Sequence, residues 1–153
     1  MKRGVDYIGV GIGAVIVNQG GKLFLSKRGK RAQNEKGKWE LPGGALEFGD
    51  TFEGTIVREM MEEFDITVGI VDSLEPFNHV ISDEHQHWVA LCYICKLIKG
   101  VPKIMEPDKS EQIGWFDISE LEKLPLTLPA QYRLKQIKVK YPHGIPNFYN
   151  GGK

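Results

Sequence analysis

The sequence lacks an excess of either charge. Lys+Arg and Asp+Glu each number 20 among 153 residues, which gives a formal net charge of +0. A chain without an overall positive field is not expected to bind nucleic acids or membrane surfaces in general. Its apolar runs are also shorter than the roughly 20 residues that a membrane-spanning helix needs. The length and the 41% hydrophobic content indicate one globular domain with a proper core.

Cysteine is scarce, and Cys92 and Cys95 form a single C-x-x-C. A structural zinc site needs about four ligands. His85 and His87 lie nearby, but no second cysteine pair exists, so zinc is the weaker interpretation. A redox-active C-x-x-C normally opens a helix, whereas the run 88–98 is typical of a buried strand. Free cysteines in a core favour a reducing, cytoplasmic location.

The N-terminal segment superficially resembles a signal peptide, because Lys2 and Arg3 precede the apolar run 8–17. Asp6 interrupts this pattern, no cleavage-type site follows, and a Gly-rich turn comes at residues 18–21. We therefore expect a strand that enters a hairpin.

Glycines at positions 9, 11 and 13 come close to a dinucleotide-binding fingerprint. That fingerprint has to follow a strand and open a helix, so that the pyrophosphate meets the helix N-terminus. Here only eight residues precede the first glycine, and a strand follows it. Small residues within an edge of a sheet are the favoured interpretation.

Strand and helix signals alternate along the remaining chain. The predicted elements are strands 8–17 and 22–27, a basic loop 28–38, a short strand 39–42, a helix 51–64, a strand 66–81 that is bent or divided into two parts at Pro76, a central strand 87–98, a strand 111–117, a short helix capped by Ser119 and a helix 128–140 capped by Thr127. Residues 1–141 are predicted to form a single domain, and residues 142–153 an irregular tail.

The helix 51–64 is amphipathic and carries a cluster of acids. A helical wheel puts its apolar residues on one face (Ile56, Val57, Met60, Met61, Phe64) and Glu59, Glu62 and Glu63 on the opposite side. Like charges three or four residues apart destabilise a helix by about 0.2–0.5 kcal/mol per pair. Oxygen ligands on one face suit a hard cation such as Mg²⁺. A merely solvated acidic face is the alternative.

The segment before this helix, residues 41–50, contains Gly43, Gly44 and Gly49. Glycine lets the backbone approach a ligand closely and exposes its carbonyls. A loop of this kind, folded back against carboxylates, can complete an oxygen cage for a metal ion.

Together the loop and the helix resemble the Nudix box, in which a glycine, an acid and an Arg-Glu-hydrophobic-x-Glu-Glu run are regularly spaced. The matching residues are Gly44, Asp50, Arg58, Glu59, Met60, Glu62, Glu63 and Ile66. Asp50 replaces the usual glutamate, and Asp65 replaces the usual glycine. The resemblance extends over roughly residues 5–140. It implies an α/β fold, the Nudix-type α/β/α sandwich with a mixed central sheet and a catalytic loop-helix-loop.

The resemblance also implies roles for the box residues. Glu59 and Glu63 are the leading metal ligands, Glu62 is a further or supporting ligand, and the Gly43 carbonyl completes the shell. Arg58 orients a box glutamate through charge-assisted hydrogen bonds. The metal is expected to be Mg²⁺, with Mn²⁺ able to substitute, and it activates water against a diphosphate.

For residues outside the box, more than one role is considered. The general base can be one of the box glutamates or an acid of the later loop. In that loop Glu111 is the first candidate for a general base or further ligand and Glu106 the second, although either can be a solvated acid. Four residues are candidates for substrate binding: Lys27, Arg28, Trp39 and Gly44. Arg28 matches the place of a substrate-holding arginine in MutT-like enzymes. Trp39 can stack on a nucleobase or lie in the core.

The loop 41–50 most resembles the nucleoside-triphosphate branch of the family. The expected reaction converts a (deoxy)nucleoside triphosphate to the monophosphate and pyrophosphate, as nucleotide-pool sanitising enzymes do. One alternative is an ADP-ribose or other nucleotide-sugar diphosphatase; residues 82–84 lack the proline or tyrosine of those branches. Another is a non-catalytic nucleotide-binding module. The nucleotide is the only partner expected, apart from a homodimer, which is common in such folds.

Overall fold

The computed structural model describes residues 1–150 and contains a seven-stranded sheet with helices on both sides. The strands are β1 (Gly9–Val17), β2 (Leu23–Arg28), β3 (Trp39–Glu40), β4 (Gly43–Ala45), β5 (Thr67–Ile81), β6 (Gln86–Lys99) and β7 (Ser110–Phe116), and the helices are α1 (Phe52–Phe64), α2 (Ile118–Leu121) and α3 (Leu128–Lys140). Short 3₁₀ turns cover Ser82–Glu84 and Phe148–Asn150. Within this part of the chain, no helix has both the length and the apolarity for a membrane crossing.

The sheet is mixed, with the strand order β3-β2-β1-β6-β5. β1 and β6 run parallel over nine residue pairs, and the other pairings are antiparallel. β4 pairs with β1, and β7 pairs with β2. The predicted hairpin is closed only at its turn, where Val17 pairs with Leu23. The prediction that the glycines of β1 lie in an edge strand was wrong, because β1 lies inside the sheet.

Side chains that alternate along β1 feed two separate cores, because successive residues of a strand point to opposite faces. One core, with Val15 and Val17, is covered by α3 and α2. The other, with Ile12, Ala14 and Ile16, is covered by α1. The expected α/β/α sandwich with a mixed central sheet is therefore confirmed.

The two cysteines lie on opposite faces of β6. Cys92 belongs to the α3-side core and Cys95 to the α1-side core, and both are buried. Burial raises the pKa of Cys92 to about 11 and that of Cys95 to about 12. Thiols that point away from each other cannot share a metal ion or form a redox pair, so the C-x-x-C is part of the core.

The helix termini follow local capping rules. Thr51 caps α1 by accepting the Gly54 N–H at 2.9 Å, and Thr127 caps α3 by accepting the Ala130 N–H at 3.3 Å. The N-cap of the short helix α2 is Asp117, not Ser119 as predicted, and the Asp117 N–H donates to the Glu120 carboxylate at 2.8 Å.

Two further predictions are corrected in part. β5 is one continuous strand, and its irregularity near Pro76 is a register shift against β6 between Leu74 and Phe77. The tail is only partly irregular within residues 142–150, because the 3₁₀ turn Phe148–Asn150 returns the chain to the sheet, and residues 151–153 lie outside the described part of the chain. There the Tyr149 hydroxyl accepts the Leu97 N–H at 2.6 Å and donates to the Val17 carbonyl at 2.6 Å.

Candidate active site

The helix α1 lies on the sheet through Ile56, Met60 and Phe64, which are all buried. Met61 is 45% exposed, so the predicted apolar face is narrower than the helical wheel suggested. Glu59 and Glu63 precede the buried residues Met60 and Phe64, and they therefore lie beside this face, not opposite it. Both are half-buried, whereas Glu62 is exposed. The structure thus separates the three box glutamates into two inner ones and one outer one.

The glycine loop enters the sheet as β4, and Gly43 and Gly44 pair with Gly13 and Ile12 of β1. A side-chain carbon on Gly44 would lie 2.4 Å from Cδ of Glu59, because the Glu59 carboxyl group rests against the Gly44 backbone. This close approach explains why the position requires glycine.

Arg58 connects the loop to the helix. Its guanidinium donates to Asp50 at 2.7 Å and to Glu59 at 3.3 Å. The Arg58 hydrogen bond lowers the pKa of Asp50, and the same bond raises the pKa of Arg58. Asp50 also accepts the Thr55 hydroxyl at 3.2 Å. Aspartate therefore makes the charge-assisted contact with Arg58 despite its shorter side chain.

Glu63 has the most unusual electrostatic environment of the site. Burial, and then the charge of Glu59, raise its pKa to about 8, with further contributions from Glu106 and Glu40 and an opposing one from Lys109. A divalent cation would relieve this repulsion, since it favours the ionised form of nearby carboxylates. The donor set contains only oxygen, which suits Mg²⁺ or Mn²⁺. As placed, no three His, Cys, Asp or Glu side chains of residues 1–150 converge into a ready-made metal cluster.

Glu106 and Glu111, the two predicted loop acids, lie in different surroundings. Glu106 lies on the loop that passes the end of α1, where the Met105 N–H donates to the Glu63 carbonyl at 3.0 Å. The charge of Glu106 contributes to the raised pKa of Glu63. Glu111 instead lies on β7 with its carboxylate 4.0 Å from Nζ of Lys27. Of these two acids, Glu106 is the one whose charge raises the pKa of Glu63.

A cleft of about 500 Å³ opens beside Gly43, Gly44 and Glu63 on the α3 side of the sheet. This volume is within the roughly 300–1,000 Å³ of small-molecule sites. Gly11 and Gly13 of β1 form part of its lining, and an added carbon on either would have no neighbour closer than 3.7 Å. The glycine pattern of β1 therefore leaves room above the sheet.

Of the two basic side chains predicted to bind substrate, Lys27 and Arg28, only Arg28 lines the cleft. Its guanidinium donates to Glu40 at 2.8 Å and to the carbonyl and the side-chain oxygen of Asn34 at 3.0 and 3.1 Å. Burial raises the pKa of Glu40, although the charge of Arg28 opposes this. Glu40 and Lys109 also line the cleft, and neither belongs to a motif that the sequence revealed.

Trp39 belongs to the core. Its side chain is 6% exposed, its ring packs edge-on against Phe116 at a centroid distance of 5.0 Å, and it does not line the cleft. The expectation that it can stack on a nucleobase is not met, because no face of the ring is accessible. Lys27 is likewise outside the cleft, where it faces Glu111.

Residues that the sequence did not single out, including Phe77 and Trp88, line the far wall of the cleft. Phe77, His79 and Ile81 come from β5, Trp88 comes from β6, and Arg133 of α3 lies beneath them. The i, i+2 spacing of the three β5 residues predicts a shared face of the strand. Their position over a cleft depends on the strand order, which no local motif reveals.

Replacement of Asp65 by glycine should preserve both stability and turnover. Asp65 ends α1 in the left-handed conformation, with φ 56° and ψ 43°, and its N–H donates to the Met60 and Met61 carbonyls. Glycine adopts this conformation without strain, so the variant should be up to about 1 kcal/mol more stable. Its exposed ion pair with Lys103 contributes little.

Urea unfolding and steady-state kinetics test this expectation, with Asp65→Val as the contrasting variant. A β-branched residue in the left-handed region should cost about 1–2 kcal/mol. A large loss of activity in Asp65→Gly would show that the Asp65 side chain takes part in the site.

Comparison with known proteins agrees with this geometry. The sequence matches the family model of the NUDIX domain over residues 8–136. A MutT-like protein of Streptomyces ambofaciens is 30% identical over 134 residues, which cover 88% of this chain and 80% of that protein. An ADP-ribose pyrophosphatase of Methanocaldococcus jannaschii is 29% identical over 109 residues, and this match covers 71% of the chain but only 62% of that protein.

Among solved structures, the crystal structure of a MutT NUDIX hydrolase from Burkholderia pseudomallei is similar, with a TM-score of 0.77 and 37% identity. The match covers 86% of this chain and 98% of that chain. The family model, the relatives and the overall fold all indicate the same family. The protein is therefore a member of the Nudix hydrolase family, with MutT-like proteins among its relatives.

Proposed function

We propose that the protein hydrolyses a (deoxy)nucleoside triphosphate to the monophosphate and pyrophosphate. The observation that carries the proposal is the half-buried carboxyl group of Glu63, next to the charge of Glu59, in a cleft whose far wall contains Phe77 and Trp88. A diphosphate fits the acidic end when a cation is bound, and a planar base fits the aromatic end. The similarity to a MutT-like protein and to a MutT NUDIX hydrolase supports the triphosphate branch.

The inner carboxylates would hold the metal. Mg²⁺ on Glu59, Glu63 and the Gly43 carbonyl, with Glu62 in support, would neutralise the diphosphate and lower the pKa of a water molecule. Mn²⁺ has the same preference for oxygen ligands and should substitute.

The protein groups around this site would position the substrate and a proton acceptor. Arg58, held by Asp50, orients the Glu59 carboxylate. Arg28 and Lys109 present positive charge to the phosphates from the cleft lining. Glu106 is the first candidate to accept the proton of the attacking water, because its charge already acts on Glu63.

A panel of nucleotides with Mg²⁺ tests the proposal. The panel contains the common ribo- and deoxyribonucleoside triphosphates, oxidised purine triphosphates, ADP-ribose and nucleotide sugars. We expect monophosphate and pyrophosphate from a triphosphate, and loss of both products when EDTA removes the metal. Chromatography of the products, together with a pyrophosphate assay, identifies the bond that is cleaved.

The main alternative is a diphosphatase for ADP-ribose or a nucleotide sugar, which the similarity to an ADP-ribose pyrophosphatase favours. AMP and ribose 5-phosphate from ADP-ribose, with inert triphosphates, would establish this alternative. Nucleotide binding without turnover of any substrate would instead indicate a non-catalytic nucleotide-binding module.

A further inference from the structure

The strand β5 contains an irregularity at the aromatic end of the cleft. Leu74 pairs with Cys92 and Phe77 pairs with Ala90, so two residues of β5 between these pairs face one residue of β6. One of the two is Pro76, which has no N–H to donate to the ladder. Such a bulge bends a strand and redirects its side chains, and it is stable only when its backbone groups find other partners.

Arg133 of α3 supplies these partners. Its Nη1 donates to the Glu75 carbonyl at 2.6 Å, and its Nη2 donates to the Ala90 carbonyl at 2.9 Å. One guanidinium therefore bridges β5 and β6 at the bulge. Gln136, one turn later, donates to the same Glu75 carbonyl at 3.0 Å and accepts from Arg133 at 2.6 Å.

The same guanidinium supports the ring of Phe77. Its Cζ lies 4.6 Å from the centroid of that ring, which is within the range of a cation–π contact. The ring of Tyr132 lies 4.2 Å from the Phe77 centroid. Phe77 is thus held by two residues of α3, while its ring lines the cleft.

Arg133 is costly to keep at this position. Its side chain is 4% exposed, and its three hydrogen-bond acceptors are all uncharged. A buried charge with neutral partners does not recover its full desolvation cost. An apolar residue would pack there without this desolvation cost. Stabilisation of the core therefore does not explain why an arginine occupies the position.

We infer that Arg133 is a positioning residue that sets the place of Phe77 and thereby the binding of a planar base at the far end of the cleft. This inference rests on the proposed function, because it assumes that the cleft takes a nucleotide. The planar fork of arginine can reach two carbonyls and lie on a ring at once, whereas the single ammonium of lysine cannot. Arg133 acts through Phe77 and need not touch the substrate.

Arg133→Lys tests the inference, because it keeps the charge and removes the bridge. With the best triphosphate of the panel, we expect KM to rise about tenfold while kcat stays within about twofold. This is the pattern for a lost contact that stabilises the bound substrate and the transition state equally. Calorimetry should show weaker binding of the nucleoside monophosphate product and unchanged binding of pyrophosphate with Mg²⁺. Equal weakening of both products would overturn the inference.

Phe77→Leu completes a double-mutant cycle. If Arg133 acts through the ring, Arg133→Lys should add little to the effect of Phe77→Leu on KM, whereas independent effects would simply add. Additive effects would contradict the inference. If Arg133→Lys does not fold, Gln136→Leu carries the test, because it removes both the side-chain oxygen that holds the Arg133 guanidinium at 2.6 Å and one donor to the Glu75 carbonyl, and so weakens the bridge. Unchanged nucleoside monophosphate binding in a folded Gln136→Leu would then count against the bridge.

The wild-type protein separates this inference from the proposed function. If no triphosphate is cleaved but another nucleotide is, the same variants can be measured with that nucleotide. If wild-type protein binds pyrophosphate with Mg²⁺ but no nucleoside monophosphate, the inference fails while a phosphoanhydride hydrolase remains.

Discussion

Replacement of Glu63 by glutamine is expected to abolish Mg²⁺-dependent turnover while the protein stays folded. Glutamine has the same shape but no charge, so the site loses a metal ligand without losing volume. Metal-ion stabilisation of phosphoryl charge contributes several kcal/mol, which corresponds to a loss of about a thousandfold or more in kcat/KM. The neutral amide is also no worse in this half-buried position, since burial raises the pKa of Glu63 to about 8.

The matched control is Glu53→Gln, which removes one negative charge from an exposed position in the first turn of the same helix. Its turnover should remain near the wild-type value. Glu59→Gln should resemble Glu63→Gln, whereas Glu62→Gln should lose less because Glu62 is exposed. Steady-state kinetics at several Mg²⁺ concentrations, with thermal unfolding of each variant, distinguishes a lost ligand from a lost fold. Undiminished turnover in Glu63→Gln would refute the metal assignment.

The acidic helix could be predicted from the sequence because its determinants are local. Thr51 caps the helix, apolar residues recur every three or four positions, and Asp65 ends it in a left-handed conformation. The box spacing then places Arg58 within reach of both Asp50 and Glu59. Helical side chains point toward the N-terminus of their helix, which directs Arg58 back to Asp50 just before the first turn.

The aromatic end of the cleft could not be predicted, because it depends on the strand order. Phe77 and Trp88 approach each other only because β5 and β6 pair, and the floor beneath them exists because β1 is parallel to β6. These contacts join residues far apart in sequence. The sequence left two places open for Trp39 for the same reason, since only its packing against Phe116 shows that the ring is in the core.

The two departures from the family pattern illustrate which properties of a position are required. Asp65 keeps the left-handed backbone that glycine usually provides. Asp50 keeps the charge that faces Arg58, and the Glu47 N–H and the Thr55 hydroxyl support its shorter carboxylate. In both cases the physical requirement is met by a different residue, so the departures do not disturb the site geometry.

Gly43 and Gly44 are neighbours, but their replacement by alanine should have opposite consequences. In Gly44→Ala, the added carbon lies 2.4 Å from Cδ of Glu59, the far end of a flexible side chain. The carboxylate can swing away, so the unfolding free energy should fall by about 1 kcal/mol at most. A ligand displaced by about 1 Å can cost roughly a hundredfold in rate, and we expect a loss of that size in kcat/KM.

In Gly43→Ala, the added carbon lies 2.3 Å from the carbonyl oxygen of Ile12 and 2.9 Å from Cα of Gly13, and both are backbone atoms. The backbone of β4 must then move away from β1, so the unfolding free energy should fall by about 1–3 kcal/mol or more. Urea unfolding measures this loss, with Gly13→Ala as the control for a glycine replaced in the same pair of strands, because its nearest neighbour would be at 3.7 Å. Equal stability of Gly43→Ala and Gly44→Ala would contradict the assignment of one glycine to the sheet and the other to the Glu59 carboxylate. The different outcomes are expected because a side chain can rotate away from an added methyl group, whereas a paired strand has to give up its hydrogen bonds.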